Sequence, residues 1–76
     1  MERIWMVEAR ESKGFSKSDL AKKTKVVRSY ISEIEKGNKT PSGKVALKLS
    51  RILDLNMERF FEDELDQEEL ELLAKE

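Results

Sequence analysis

The chain has 76 residues, a formal net charge of −1, and neither Cys nor His. That length holds one domain with a modest core, and the composition leaves no disulfide, no thiolate metal site and no imidazole to act as a general base. No apolar stretch approaches the roughly 18 residues of a membrane helix, and the run Ile4-Trp5-Met6-Val7 is too short for a secretory signal, so a cytoplasmic protein without cofactor is expected.

Sparse Gly and Pro, and the absence of alternating apolar runs, predict an all-helical chain. The first helix is expected over about Met1 to Lys13, ended by Gly14 as a left-handed cap. Its run from Ile4 to Val7 is too long to bury on one face. Trp5 therefore has three places to go: under the C-terminal segment, into a dimer interface, or partly into solvent. Ser16 and Asp19 form a capping-box pattern for a second helix, Lys17 to about Thr24, with Leu20 and Ala21 inward. Lys25-Val26 turns the chain into a third helix, Val27–Lys36, whose Ile31 and Ile34 face the core with Val26 or Val27. Gly37 ends it.

After the loop Asn38-Lys39-Thr40, Pro41 is expected in the first turn of a fourth helix, with Val45, Leu47 or Ala46, Leu49, Ile52 and Leu53 as its apolar stripe. Asn56 caps a short fifth helix in which Phe60 and Phe61 close the core. Asp66 and Glu69 predict a sixth, acidic helix carrying Leu70, Leu72 and Leu73. Residues 1–62 read as the domain and 63–76 as an acidic extension. Charge is unevenly distributed and changes sign ahead of that boundary: residues 1–53 hold 13 basic and 6 acidic side chains (net +7), and residues 54–76 hold 2 and 10 (net −8). A basic body suits a polyanion, and an acidic end stays off it. The acidic cluster lacks the Gly and ligand order of a calcium loop and reads as a solvated face.

The informative stretch is Phe15–Gly37, F-S-K-S-D-L-A-K-K-T-K-V-V-R-S-Y-I-S-E-I-E-K-G. Two short helices meet at a tight turn, and small Ala21 permits a close crossing. With Ile31 and Ile34 inward, Arg28, Ser29, Ser32 and Glu33 face out, as on a helix that lies in the major groove of DNA.

Four pieces in order, R-E-S-K-G-F-S (Arg10–Ser16), S-D-L-A-K-K (Ser18–Lys23), S-Y-I-S-E-I-E-K-G (Ser29–Gly37) and T-P-S…L-K-L-S-R-I-L-D-L-N-M-E-R-F-F (Thr40–Phe61), make the chain resemble the Cro/C1-type, or XRE, helix-turn-helix family. The resemblance implies a compact five-helix bundle like that of the lambda repressor, with helices 2 and 3 as the helix-turn-helix. By position it implies base contacts from Val27, Arg28, Ser29 and Glu33. Arg28 suits guanine, Val27 a thymine methyl, and Glu33 a cytosine amino group. It implies backbone contacts from Lys17, Ser32, Lys36, Asn38, Lys39, Thr40 and Lys44. An ion pair between Arg10 and Glu35 would tie helix 1 to helix 3. Lys22, Lys23 and Lys25 read as a solvated face.

Three positions depart from the family pattern. Lys17 replaces the usual Gln, exchanging an amide for a point charge. Lys25 replaces the turn Gly, which costs on the order of 1 kcal/mol if the residue stays left-handed. Val27 replaces the usual Ser or Thr cap and cannot accept from the helix amides. A phosphate could satisfy those amides instead.

A regulator of double-stranded DNA, acting as a repressor and binding a two-fold operator as a homodimer, is the expected function, and an enzyme is not. The alternative is an antitoxin or adaptor of the same fold, whose protein partner docks on Trp5 and the C-terminal helix. No second, ligand-sensing domain is visible in the sequence.

Overall fold

The computed structural model of the chain describes residues 2–64, together with Glu68 and Leu72. Four α-helices occur among them: α1 (Ile4–Ser12), α2 (Lys17–Thr24), α3 (Arg28–Lys36) and α4 (Gly43–Leu53). A 3-10 helix, Met57–Glu64, follows. No helix among the described residues is long and apolar enough to cross a membrane.

Local chemistry sets most of the boundaries. Gly14 ends α1 at φ +75, and the Phe15 amide reaches back to the Arg10 carbonyl at 3.1 Å. Ser16 and Asp19 complete a reciprocal capping box: the Asp19 amide donates to Ser16 Oγ at 3.0 Å, and the Ser16 amide to Asp19 Oδ2 at 2.9 Å. Gly37 ends α3 at φ +83, where an L side chain would be strained.

Two expectations are corrected. Pro41 is not in the first turn of α4. Ser42 caps that helix, accepting from the Val45 amide at 3.4 Å, and Pro41 is buried just ahead of the cap. The fifth helix is 3-10 rather than α, although Asn56 does start it, through Oδ1 and the Glu58 amide at 3.0 Å. Of the two valines expected near Ile31 and Ile34, Val26 packs on the core, and Val27 is the N-cap of α3 and 68% exposed. Of the sixth helix only Glu68 and Leu72 are described, both helical and exposed. Its other expected residues, including Asp66, Glu69, Leu70 and Leu73, lie outside the described residues.

The core gathers one or more side chains from every element: Met6, Leu20, Ala21, Ile31, Ile34, Ala46, Leu49, Leu53 and Phe60. Each fully buried Leu, Ile, Met or Phe contributes about 1.5–3 kcal/mol, so no single helix is stable alone. On α4, Ala46 takes the inner position and Leu47 is exposed. The first apolar run divides as its length requires. Met6 enters the core, Ile4 is 57% exposed, and Trp5 lies half-buried, edge-on to Phe60 with ring centroids 5.1 Å apart. The Arg59 guanidinium sits over the Trp5 ring at 4.8 Å, where a cation is attracted to the ring face.

Polar anchors complete the packing. Buried Thr24 donates from its hydroxyl to the Leu20 carbonyl at 2.8 Å, and Lys48 Nζ reaches the Thr24 carbonyl at 3.3 Å, tying α4 to the end of α2. Among the described residues, two non-glycine residues adopt left-handed backbone, Lys25 at φ 60 and Asp54 at φ 56. Asp54 also meets Lys13 Nζ at 2.7 Å, an exposed pair of the kind worth at most about 1 kcal/mol.

Candidate nucleic-acid interface

α3 is amphipathic at the expected period. Ile31, Ile34 and Glu35 are buried on one side, and Arg28, Ser29 and Lys36 are exposed on the other, with Ser32 and Glu33 half-exposed between them. The helix start is bare. Val27 has the extended backbone of an N-cap (φ −78, ψ 150) but makes no side-chain cap bond, so amides of the first turn point outward without a side-chain acceptor. The third amide, that of Tyr30, bonds the Val27 carbonyl at 3.0 Å. Two residues before Val27, Lys25 holds the left-handed position that ends α2, where the family resemblance implies a Gly.

Hydrogen bonds bring the flanking segments alongside this helix. Lys17, half-buried at the start of α2, donates to Ser32 Oγ at 3.4 Å. Both were expected at the nucleic-acid backbone, and the structure makes them neighbours. On the other side, Asn38 Nδ2 donates to Glu33 Oε2 at 2.8 Å, and the Asn38 and Lys39 amides both bond the Glu33 carbonyl, at 3.0 and 3.3 Å. Glu33 and Asn38, expected to act separately on a base and on the backbone, are thus held by one another. Lys36 and Lys39 stay exposed, and Thr40 is half-buried. The Ser42 amide donates to the Tyr30 hydroxyl at 3.2 Å, which ties the cap of α4 to α3, and Lys44 in the first turn of α4 is exposed. The result is one surface made of the α2 start, the outer face of α3 and the loop 37–42. Its charged side chains are Lys17, Arg28, Lys36 and Lys39 against Glu33, a field suited to phosphate.

Behind the surface, Arg10 and Glu35 form a bidentate ion pair, with Nε to Oε2 at 2.7 Å and Nη2 to Oε1 at 3.3 Å. Their side chains are only 11% and 3% exposed. Arg10 Nη1 also donates to the Phe15 carbonyl at 2.9 Å. One guanidinium therefore joins α1, the turn ahead of α2, and α3.

Sequence reasoning missed Arg3. It is 3% exposed. Its Nη1 donates to the Ile34 carbonyl at 2.6 Å and the Lys39 carbonyl at 3.0 Å. Its Nη2 lies 3.5 Å from Thr40 Oγ1 and 3.4 Å from the Phe60 carbonyl. An Arg beside an apolar run carries no sequence signal of burial, because its partners here are main-chain atoms remote in the chain. Tyr30 was missed for a similar reason: its hydroxyl partner is the Ser42 amide.

Comparison with known proteins agrees with this geometry. A family model described as Helix-turn-helix matches residues 6–60. YqaF of Bacillus subtilis (strain 168), an uncharacterized HTH-type transcriptional regulator, is 36% identical over 63 residues, which is 83% of this chain and 83% of that protein. A chain of the SinR protein/SinI protein complex superposes with a TM-score of 0.68 at 33% identity, covering 97% of this chain and 76% of that one. The chain belongs to the Cro/C1-type (XRE) helix-turn-helix family of DNA-binding transcriptional regulators.

Proposed function

We propose that the protein is a sequence-specific repressor that binds double-stranded DNA as a homodimer, with α3 as its recognition helix. The observation that carries this reading is the bare, exposed start of α3, where Val27, Arg28 and Ser29 stand clear of the core. Arg28 makes a bidentate contact to guanine O6 and N7. Ser29 bonds a base edge, Val27 packs on a thymine methyl, and Glu33, fixed by Asn38, offers an acceptor to a cytosine amino group. Lys17, Ser32, Lys36, Asn38, Lys39, Thr40 and Lys44 follow the sugar-phosphate backbone. A phosphate at the bare amides takes the place of the missing cap. Repression then needs only occupancy of a promoter.

One such module reads few base pairs, so two copies on a two-fold operator give the required specificity, with half-sites roughly 34–36 Å apart. Selection of a random duplex library by the purified protein at physiological salt, followed by sequencing, tests this reading. The expected product is an inverted repeat with half-sites one helical turn apart. Salt-sensitive binding without enrichment would overturn it.

A second reading has a protein as the main partner, docked on Trp5 and the C-terminal segment. It is favoured by the exposure of Ile4 and Leu72 and by a structural neighbour that is itself a complex of two proteins. Co-purification of a partner, with loss of enrichment in the duplex selection, would support it.

A further inference from the structure

We infer that Arg3 is a positioning residue for the loop 38–40, holding that loop against a DNA phosphate; the inference rests on the proposal that this surface binds DNA. Arg3 is buried, yet its cation meets carbonyls and a hydroxyl rather than a carboxylate among the described residues. Three of its partners belong to the segment that leaves the recognition helix: the Ile34 carbonyl in the last turn of α3, the Lys39 carbonyl, and Thr40 Oγ1. The fourth, the Phe60 carbonyl, belongs to the 3-10 helix. The main chain of Arg3 is fixed as well, since its amide donates to the Glu35 carbonyl at 2.7 Å.

The chemistry of that arrangement is specific. The C-terminal end of a helix carries partial negative charge on its free carbonyls, and a cation there is stabilised. A planar guanidinium can bridge several acceptors in a fixed fork, which an ammonium cannot. With the Lys39 carbonyl pulled inward, the Lys39 side chain and the neighbouring Asn38 side chain are left on the outer surface. The loop is otherwise joined to α3 through Glu33, by the Asn38 and Lys39 amides and the Asn38 side chain. Arg3 therefore supplies the contact on its inner side. Releasing it leaves the base-reading side chains at the start of α3 in place and frees the loop that meets the backbone.

The test uses the selected operator and four proteins: wild type, Arg3→Lys, Lys39→Ala and the double variant. All are measured at a temperature where circular dichroism shows each fully folded. Arg3→Lys is expected to weaken binding and lower the slope of log Kd against log salt by about 0.9, the value of one phosphate contact. Its deficit relative to wild type should then shrink about 3.5-fold between 50 and 200 mM salt. Lys39→Ala should add nothing in the Arg3→Lys background, and base preferences should be unchanged. A purely structural Arg3 would lower Tm while leaving the salt slope and the full Lys39→Ala effect intact, and that result overturns the inference.

The wild-type protein gives a second readout that needs no variant to fold. Exchange of the Arg3 guanidinium protons should slow when operator binds. Unchanged or faster exchange also overturns the inference. If the wild type selects no operator, the DNA-binding proposal itself fails and the inference falls with it, an outcome distinct from either of these.

Discussion

Replacing Arg10 by Met removes the cation from a pair that is almost fully enclosed. Glu35 is 3% exposed, so its carboxylate cannot turn to water without opening the contact between α1 and α3. Breaking one side of a buried pair costs about 3–5 kcal/mol. A chain of 76 residues has a total stability of roughly 4–11 kcal/mol, taking about 0.05–0.15 kcal/mol per residue. The single change therefore removes roughly a quarter or more of the stability. It should lower Tm by at least roughly 12 °C, since about 1 kcal/mol corresponds to 4–8 °C in a domain of this size. The double variant Arg10→Met/Glu35→Gln, which buries a neutral amide in place of an unpaired charge, should recover part of the loss. Urea unfolding followed by circular dichroism measures all three proteins. A loss below about 1 kcal/mol in Arg10→Met would equal that of an exposed surface pair and would refute the reasoning. So would a double variant that is no more stable than the single one.

Val27→Thr should raise stability by up to about 1 kcal/mol by capping α3, with the gain limited because the Tyr30 amide already bonds the Val27 carbonyl; operator affinity should fall, and a tighter or equal Kd would rule out phosphate as the substitute cap. Lys25→Gly relieves a left-handed residue at φ 60 at about 1–2 kcal/mol but loosens the unfolded chain by about 0.4–1 kcal/mol, so thermal unfolding should show a gain of at most about 1.5 kcal/mol. The Asp19 carboxyl is held below its ordinary value of 3.8, chiefly by the Ser16 amide, then by the Ser16 hydroxyl, and further by Lys22 and Lys23. A carboxyl lowered by folding stabilises above its unfolded value, and that help is lost as pH falls through the folded one. Wild type and Asp19→Asn should accordingly differ most at neutral pH and converge below the usual aspartate range in acid titration of stability.

Where a local rule governs, the sequence was readable. Ser16 with Asp19, Gly14 and Gly37 mark their helix ends through side-chain or backbone geometry within five residues, and the 3.6-residue period fixes Ile31 and Ile34 as inward-facing. Ala46 and Leu47 stand as alternatives in the sequence because apolarity favours Leu47, whereas the helical period places Ala46 with Leu49, Ser50 and Leu53 on the buried face and Leu47 outside it. Pro41 fits a first helical turn by its own geometry, but Ser42 offers a cap one residue later and the helix takes it. The surface itself follows from the family resemblance and the periodicity of α3. Its internal ties do not: Asn38 with Glu33, Tyr30 with Ser42, and the buried fork of Arg3 join residues across a helix end or across the whole domain, where no periodic signal reaches.

The central claim is that the exposed start of α3 reads base identity, and the most direct measurement is a duplex-library selection run in parallel on wild type and Arg28→Ala. Loss of preference at one base pair in each half-site, with the remaining positions retained, is the expected result, and it corresponds to about 1–3 kcal/mol of discrimination. An unchanged sequence preference, or a uniform weakening at every position, would contradict the claim and leave Arg28 a contact to phosphate or to nothing.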